Sequence, residues 1–351
     1  MARTTAQRGL MLITAATLFA VAGVASAQEV ERYSIAGTSI SLYNLAGTVH
    51  IERGTGDNVI VEVRRSGSDA DQLQIDRRTV DGRAALIVRY PDGDVVYRSD
   101  AHSSRTTVRV RNDGTFYGDR DGGDRVSIKR SGRGTEAHAD LRVLVPAGRS
   151  IDVMLGAGAV VASNVEADLS IDVGEAPVET GATRGRLHID TGSGAVSVRD
   201  AQGDVLIDTG SGGVTLTDVV GNRVNVDTGS GRVRAVNVRA DEILVDTGSG
   251  AVEMTGVASG DVEIDTGSGR VDLDLLTDVD RLVIDTGSGS VTVAVPDDFG
   301  GQFDIDGGRV SVEVPAELRN SGRDHARGTF GDGHGTIEID TGSGRISIVR
   351  R

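Results

Sequence analysis

Cysteine and tryptophan are absent from this 351-residue chain, and lysine occurs once, at Lys129. Without cysteine there is no disulfide, thiol nucleophile, iron–sulfur cluster or Cys-ligated zinc, so stability must come from packing and hydrogen bonds alone. Aromatic residues are scarce as well. There are five Phe and five Tyr, and none of them lies between residues 118 and 298. Apart from Phe19 they fall in residues 33 to 117 and 299 to 330, where the ends of a rod would need caps. A long stretch with no ring offers nothing on which a sugar could stack, and it suits a narrow interior filled with branched aliphatics.

Long apolar runs are also missing, with one exception. Arg3 and Arg8 precede an apolar run from Leu10 to Val24, which ends in Ala25-Ser26-Ala27. A positive start, a short apolar middle and an A-x-A site read as a secretory signal peptide over residues 1–27. About 15 apolar residues are too few to span a bilayer. No cysteine follows the run, so lipoprotein attachment is excluded. The expectation is an exported protein, periplasmic, at the cell surface or secreted, with no transmembrane segment in the mature chain.

What the chain does have is a repeat. Asp-Thr-Gly-Ser-Gly begins at Asp190, Asp208, Asp227, Asp246, Asp265, Asp285 and Asp340, and the first six copies are 18 to 20 residues apart. A fixed period near 20 marks a stacked repeat rather than one catalytic site. Three residues before each Asp stand Leu187, Val205, Val224, Ile243, Val262, Leu282 and Ile337, and one before it Ile189, Ile207, Val226, Val245, Ile264, Ile284 and Ile339. Six after it come Val196, Val214, Val233, Val252, Val271, Val291 and Ile346. A spacing of two puts aliphatics on one face of a strand and polar residues on the other.

Each unit therefore reads as strand, Gly-Ser-Gly turn, strand, second turn. Two short strands cannot bury an apolar face alone, so the coils must stack. The expected fold is all-β, a β-solenoid of roughly 19-residue coils. Roughly ten coils would make a rod about 45 Å long. The strands expected inside are those carrying Ile189, Val196, Ile207, Val214, Val226 and Val233. The turn glycines, Gly229 for example, are expected to have positive φ.

The chain divides into the signal peptide at 1–27, an N-terminal β region at 28–140 and the repeat domain at 141–351. Within the N-terminal region, Ser39 to Val63 already resembles a coil, with the turn Asn44-Leu45-Ala46-Gly47, while residues 91–138 read as a loop-rich insertion or elaborated hairpin. The repeat domain closes with a shortened coil at Asp306 to Val312, a loop at 320–335 and a last coil at Asp340 to Arg351. The net charge of −15 is uneven. Residues 28–150 are close to neutral, whereas 151–298 carry an excess of acids that repels nucleic acid and anionic membranes.

Asp-Thr-Gly is also the active-site sequence of aspartic proteases, where two such loops face each other in a closed domain. Seven copies at solenoid spacing contradict that context. As a structural element, the Asp caps a turn by accepting backbone N–H bonds, with the Thr at the corner facing inward. The sharper alternative is weak cation binding along the Asp column, since like residues one coil apart lie about 4.8 Å from each other. His188, His325 and His334 are scattered. No catalytic, cofactor-binding or metal-ligating residue is nominated.

The strand Gly47 to Ile51, the segment Leu141-Arg142-Val143-Leu144-Val145-Pro146-Ala147-Gly148, the serial Thr-Gly-Ser-Gly-x-Val coils and the terminal Asp340-Thr-Gly-Ser-Gly-Arg-Ile-Ser-Ile resemble the bacterial putative-adhesin family of exported domains of unknown function. The resemblance implies a right-handed single-stranded β-helix and an extracytoplasmic location, and it carries over no catalytic residue. The reading reached is a non-catalytic protein with no cofactor, presenting a repetitive surface to an envelope, protein or glycan ligand as an adhesin or scaffold. The alternatives are a polysaccharide-active β-helix enzyme and a self-assembling filament protein.

Overall fold

A computed structural model describes residues 30–99, 105–118 and 122–351. The expected signal peptide at 1–27 lies outside them. The described chain is all-β, with one short 3-10 turn at Ala70–Gln72, and none of its helices is long and apolar enough to cross a membrane.

The repeats stack as the alternation requires. Leu187–Thr191, Val205–Thr209, Arg223–Thr228, Glu242–Thr247, Asp261–Thr266 and Arg281–Thr286 pair in parallel, each in register with the next, so that Asp190, Asp208, Asp227, Asp246, Asp265 and Asp285 lie over one another. This is the aspartate sheet. The strands that follow each turn, Val196–Gln202 through Val291–Val295, build a second parallel sheet across the core. Ile189, Val196, Ile207, Val214, Val226 and Val233 are all buried between them. Ala235, a small residue in its column, is flanked by Leu216 and Met254 in the adjacent coils, and the larger neighbours fill the space.

Coils also bend within the strand that follows the pentapeptide turn, ahead of the turn at Gly203 or Gly221 that leads to the next coil. Asn164, Ala182, Asp200, Asp218, Asn237 and Gly256 all have φ between 49° and 73°. The first five fall where the ladder skips one residue, as Asp200 and Asp218 do between the pairs Arg199↔Thr217 and Ala201↔Val219, and Gly256 lies in the bulge between Met254 and Val257. A single left-handed residue turns the chain, and Asn, Asp and Gly tolerate that conformation best. Ala182 is the exception and carries the strain of a Cβ there.

At both ends the stack departs from chain order. Strand Ser39–Arg53 forms a coil that pairs with Arg149–Glu175 on one side and with Arg83–Arg89 and His138–Val145 on the other. Residues 141 to 145 therefore lie outside the first coil rather than opening the array. At the far end Thr336–Thr341 pairs with Arg281–Thr286 and also with Gly301–Asp306, and Arg345–Arg350 pairs with Val291–Val295 and with Arg309–Val312. The last coil in sequence is thus inserted beneath the shortened coil that precedes it. The segment expected as a loop at 320–335 contains strand His325–Phe330, which pairs antiparallel with Gly301–Asp306 and with Ala316–Ser321. Antiparallel strands Gln74–Val80, Val59–Ser66 and Val30–Ile35 finish the other end. Hairpins at both ends occupy edges that a parallel stack would leave open.

Within residues 91–138 the described strands form a small sheet of their own. Arg105–Val110 and Asp124–Lys129 pair antiparallel, and Val95–Val96 adds a parallel edge. Phe299, Phe303 and Phe330 cluster in the C-terminal cap. Tyr43, Phe116 and Tyr117 cap nothing; they attach the inserted sheet to the flank of the rod.

Candidate functional site

The threonine of each pentapeptide carries the turn chemistry. Thr191, Thr209, Thr228, Thr247, Thr266, Thr286 and Thr341 are at most 2% exposed. Each Oγ1 accepts from the N–H of the final turn glycine, Gly194, Gly212, Gly231, Gly250, Gly269, Gly289 and Gly344, at 2.9 to 3.0 Å. The same hydroxyls of Thr228, Thr247, Thr266, Thr286 and Thr341 donate to a glycine carbonyl of the neighbouring coil at 3.0 to 3.5 Å. One hydroxyl closes its own turn and ties it to the next coil. The expected Asp cap is corrected accordingly: the inward Thr, not the outward Asp, meets the backbone.

The glycines are required for closeness. Gly229 does not have positive φ, contrary to expectation. A Cβ at Gly229 would stand 2.5 Å from the Gly210 carbonyl oxygen, and one at Gly231 would collide with the Gly212 carbonyl. The turns nest so tightly that no side chain fits between them.

This leaves the aspartates to the solvent. Asp190, Asp208, Asp227, Asp246, Asp265, Asp285 and Asp340 are exposed, in register, and make no ion pair among the described residues. Asp306 continues the row past Asp340 and meets Arg327 at 3.5 Å. Partial burial, followed by the charges of Asp246 and Asp285, raises Asp265 above the usual carboxylate range, and Asp340 is raised likewise by burial and then by Asp285 and Asp306. Neighbouring carboxylates at coil spacing resist ionising together.

Toward the N-terminus the column changes character. Asp172 stacks on Asp190, and beyond it the same position is occupied by Met154, Tyr43 and Ile87. The inserted sheet packs on this apolar continuation through Val108, Phe116 and Ile128. At the boundary, Thr106 Oγ1 donates to Glu175 Oε2 at 2.7 Å, and the Tyr117 hydroxyl lies over Gly174. Burial beneath the insertion, with Asp190 next to it, pushes Asp172 up to about 7. Burial likewise raises Tyr117. Between insertion and rod lies a cleft of about 300 Å³ lined by Leu45, Arg89, Tyr90, Arg111, Asp124 and Val126 among others. The Tyr90 hydroxyl is turned away from solvent, with Asn44 Oδ1 and the Ala46 carbonyl both at 2.9 Å as acceptors for its one proton, and it accepts from the Ala46 N–H at 3.2 Å.

The three histidines considered from sequence stay apart. His188 is exposed on the rod; His325 meets Asp324 at 2.9 Å in the cap, and His334 stands 4.0 Å from Asp280. Among the described residues no group of three or more His, Asp or Glu converges on a point that could hold a metal ion. The row presents charge along a line. Sequence reasoning missed the insertion's docking site, although the replacement of Asp by Met154, Tyr43 and Ile87 in one column was its signal.

The architecture defines an all-β, solenoid-like protein with a long parallel sheet. Residues 37–349 match the family model Toastrack DUF4097, and the chain belongs to that family. No curated protein matches the sequence. Among solved structures, it is similar to a putative adhesin from Bacteroides fragilis at 12% identity, covering 92% of this chain and 96% of that one, with a TM-score of 0.36. A putative adhesin from Parabacteroides merdae is similar at 9% identity over 92% and 95%, with a TM-score of 0.32. A putative cell adhesion protein from Clostridium sporogenes is similar at 11% identity over 92% and 99%, with a TM-score of 0.20.

Proposed function

We propose that the protein is a non-catalytic, exported right-handed β-helix that presents its aspartate row as a repetitive binding surface, in adhesion or as an envelope-associated scaffold. The observation that carries this reading is the division of labour within each pentapeptide: the Thr and both glycines are consumed in stacking, while the Asp is turned outward, without a basic partner among the described residues. Hydroxyl and glycine requirements account for Asp-Thr-Gly without any pairing of catalytic carboxylates. The right hand is what the family resemblance implies, and the strong preference of parallel β crossovers for that hand supports it. The antiparallel caps at both ends disfavour the filament alternative, because open parallel edges are what end-to-end growth would need. The charge-lined row selects cationic groups or ligands bridged through them. The test is capture from envelope fractions and glycan arrays by mature protein, compared with Asp208→Asn/Asp227→Asn/Asp246→Asn. The reading expects a retained ligand that the triple variant loses; equal capture by both proteins contradicts a role for the row.

A further inference from the structure

The outer face of the inserted sheet is basic, in a molecule that is otherwise acidic. Arg105, Thr107 and Arg109 alternate outward from one strand and Arg125 from the next, while Val108 and Ile128 point to the rod. Arg109 and Arg125 are direct cross-strand partners. Like charges placed opposite each other on exposed strands destabilise the pair. Lys129, the remaining base of this face, is neutralised by Asp94. Asp94 also lies close enough to act on Arg105, while Arg109 and Arg125 make no ion pair among the described residues. The described residues therefore carry a ridge of guanidinium groups in which Arg109 and Arg125 lack an ion pair and, on the same side of the molecule, a row of carboxylates that lack one too.

We propose that this ridge is an interface to a second copy of the chain, seated on the partner's aspartate row in an antiparallel two-fold dimer. The dimensions agree. Arg105 and Arg109 are about 13 Å apart along their strand, close to the roughly 14 Å of three coils, so both reach carboxylates of one row. The inserted sheet raises the ridge about 10 Å above the rod, one sheet spacing. Two rods facing each other antiparallel leave a gap of that depth, and each insertion fills it opposite the other's column. Such an arrangement is self-complementary, as a two-fold interface must be. It also relieves two like-charge costs together, that of Arg109 against Arg125 and that of the carboxylates against one another. Repulsion between two net-negative rods is weakened by salt beyond about 8 Å, whereas contacts between ridge and row are closer than that.

Sedimentation velocity of the mature protein tests the interface. A monomer–dimer equilibrium is expected in low salt, dissociating in 0.5 M sodium chloride. Arg109→Glu/Arg125→Glu should weaken it at least tenfold, as should Asp208→Asn/Asp227→Asn/Asp246→Asn, and a mixture of the two variants should regain part of it because one half of the interface is then intact. Arg109→Gln/Arg125→Gln, with melting followed by circular dichroism, guards against misfolding of the charge reversal. A protein monomeric at every salt concentration, or a dimer indifferent to both variant sets, overturns the proposal. So does tight binding of heparin to the ridge without self-association, which would give the face to a polyanion instead.

Discussion

A threonine hydroxyl at each corner accepts a hydrogen bond from its own turn and, in the later coils, donates one to the neighbouring coil. Thr247→Val should leave the Gly250 N–H and the Gly231 carbonyl buried without a partner, a loss of about 1 to 3 kcal/mol, whereas Thr247→Ser should keep most of the stability. Thermal melting of the pair decides it, and a Val variant as stable as wild type would contradict the role of the hydroxyl. Asp172 gives a second test. Its folded pKa of about 7 lies above that of a free carboxyl, so the folded form favours the proton. The group's contribution to stability is therefore greatest at low pH and falls as pH rises through 7. Asp172→Asn should stabilise at pH 8 by on the order of 1 kcal/mol or more, and by less at pH 4. A pH-independent gain would mean that burial of the carboxyl has been misjudged. At this scale the inward Thr was legible in the alternation. The reason for the glycines was not, because the clash at Gly229 is with Gly210, one coil away, and a local turn rule sees only φ.

Single elements explain how the rod ends. The period of 18 to 20 residues is set by two strands and the turns between them, and the aliphatics three and one before each Asp fixed which side of each strand would be buried. The order of the stack could not be read the same way. The strands Thr336–Thr341 and Gly301–Asp306 carry similar patterns, and nothing local says which lies next to Arg281–Thr286; that depends on the hairpin partner His325–Phe330 covering Gly301–Asp306. Asn164, Asp200, Asp218 and Asn237 are visible as a column of Asx, but they lie inside strands, where the aliphatic spacing alone predicts no bend. Ala316 and Phe330 are cross-strand partners, so a short Gly-Ser linker can replace residues 316–330. The variant should expose a parallel edge and self-associate. Its persistence as a well-behaved monomer in light scattering would show that the hairpin is not an edge guard.

The whole molecule is a rod whose charge is concentrated on one line. Because backbone N–H groups are satisfied by Thr, the carboxylates of the row keep their mutual repulsion, and screening it should stabilise the fold. The melting temperature of dilute protein should rise with sodium chloride. Calcium at matched ionic strength should add little, since the row offers carboxylates in a line rather than the six to eight converging oxygens calcium prefers. A calcium-specific rise would show that the row does bind the ion. What the account claims above all is that these aspartates form one in-register line in which the last coil of the sequence is not the last of the stack. Distances between spin labels test this directly, because a chain without cysteine accepts two at chosen sites with no background. Labels at Asp190 and Asp265 should be about 19 Å apart, at Asp190 and Asp340 about 29 Å, and at Asp190 and Asp306 about 34 Å, in steps of one coil. The result predicted is that residue 340 lies nearer to 190 than residue 306 does; the reverse order, or distances that do not rise in coil steps, would contradict the account.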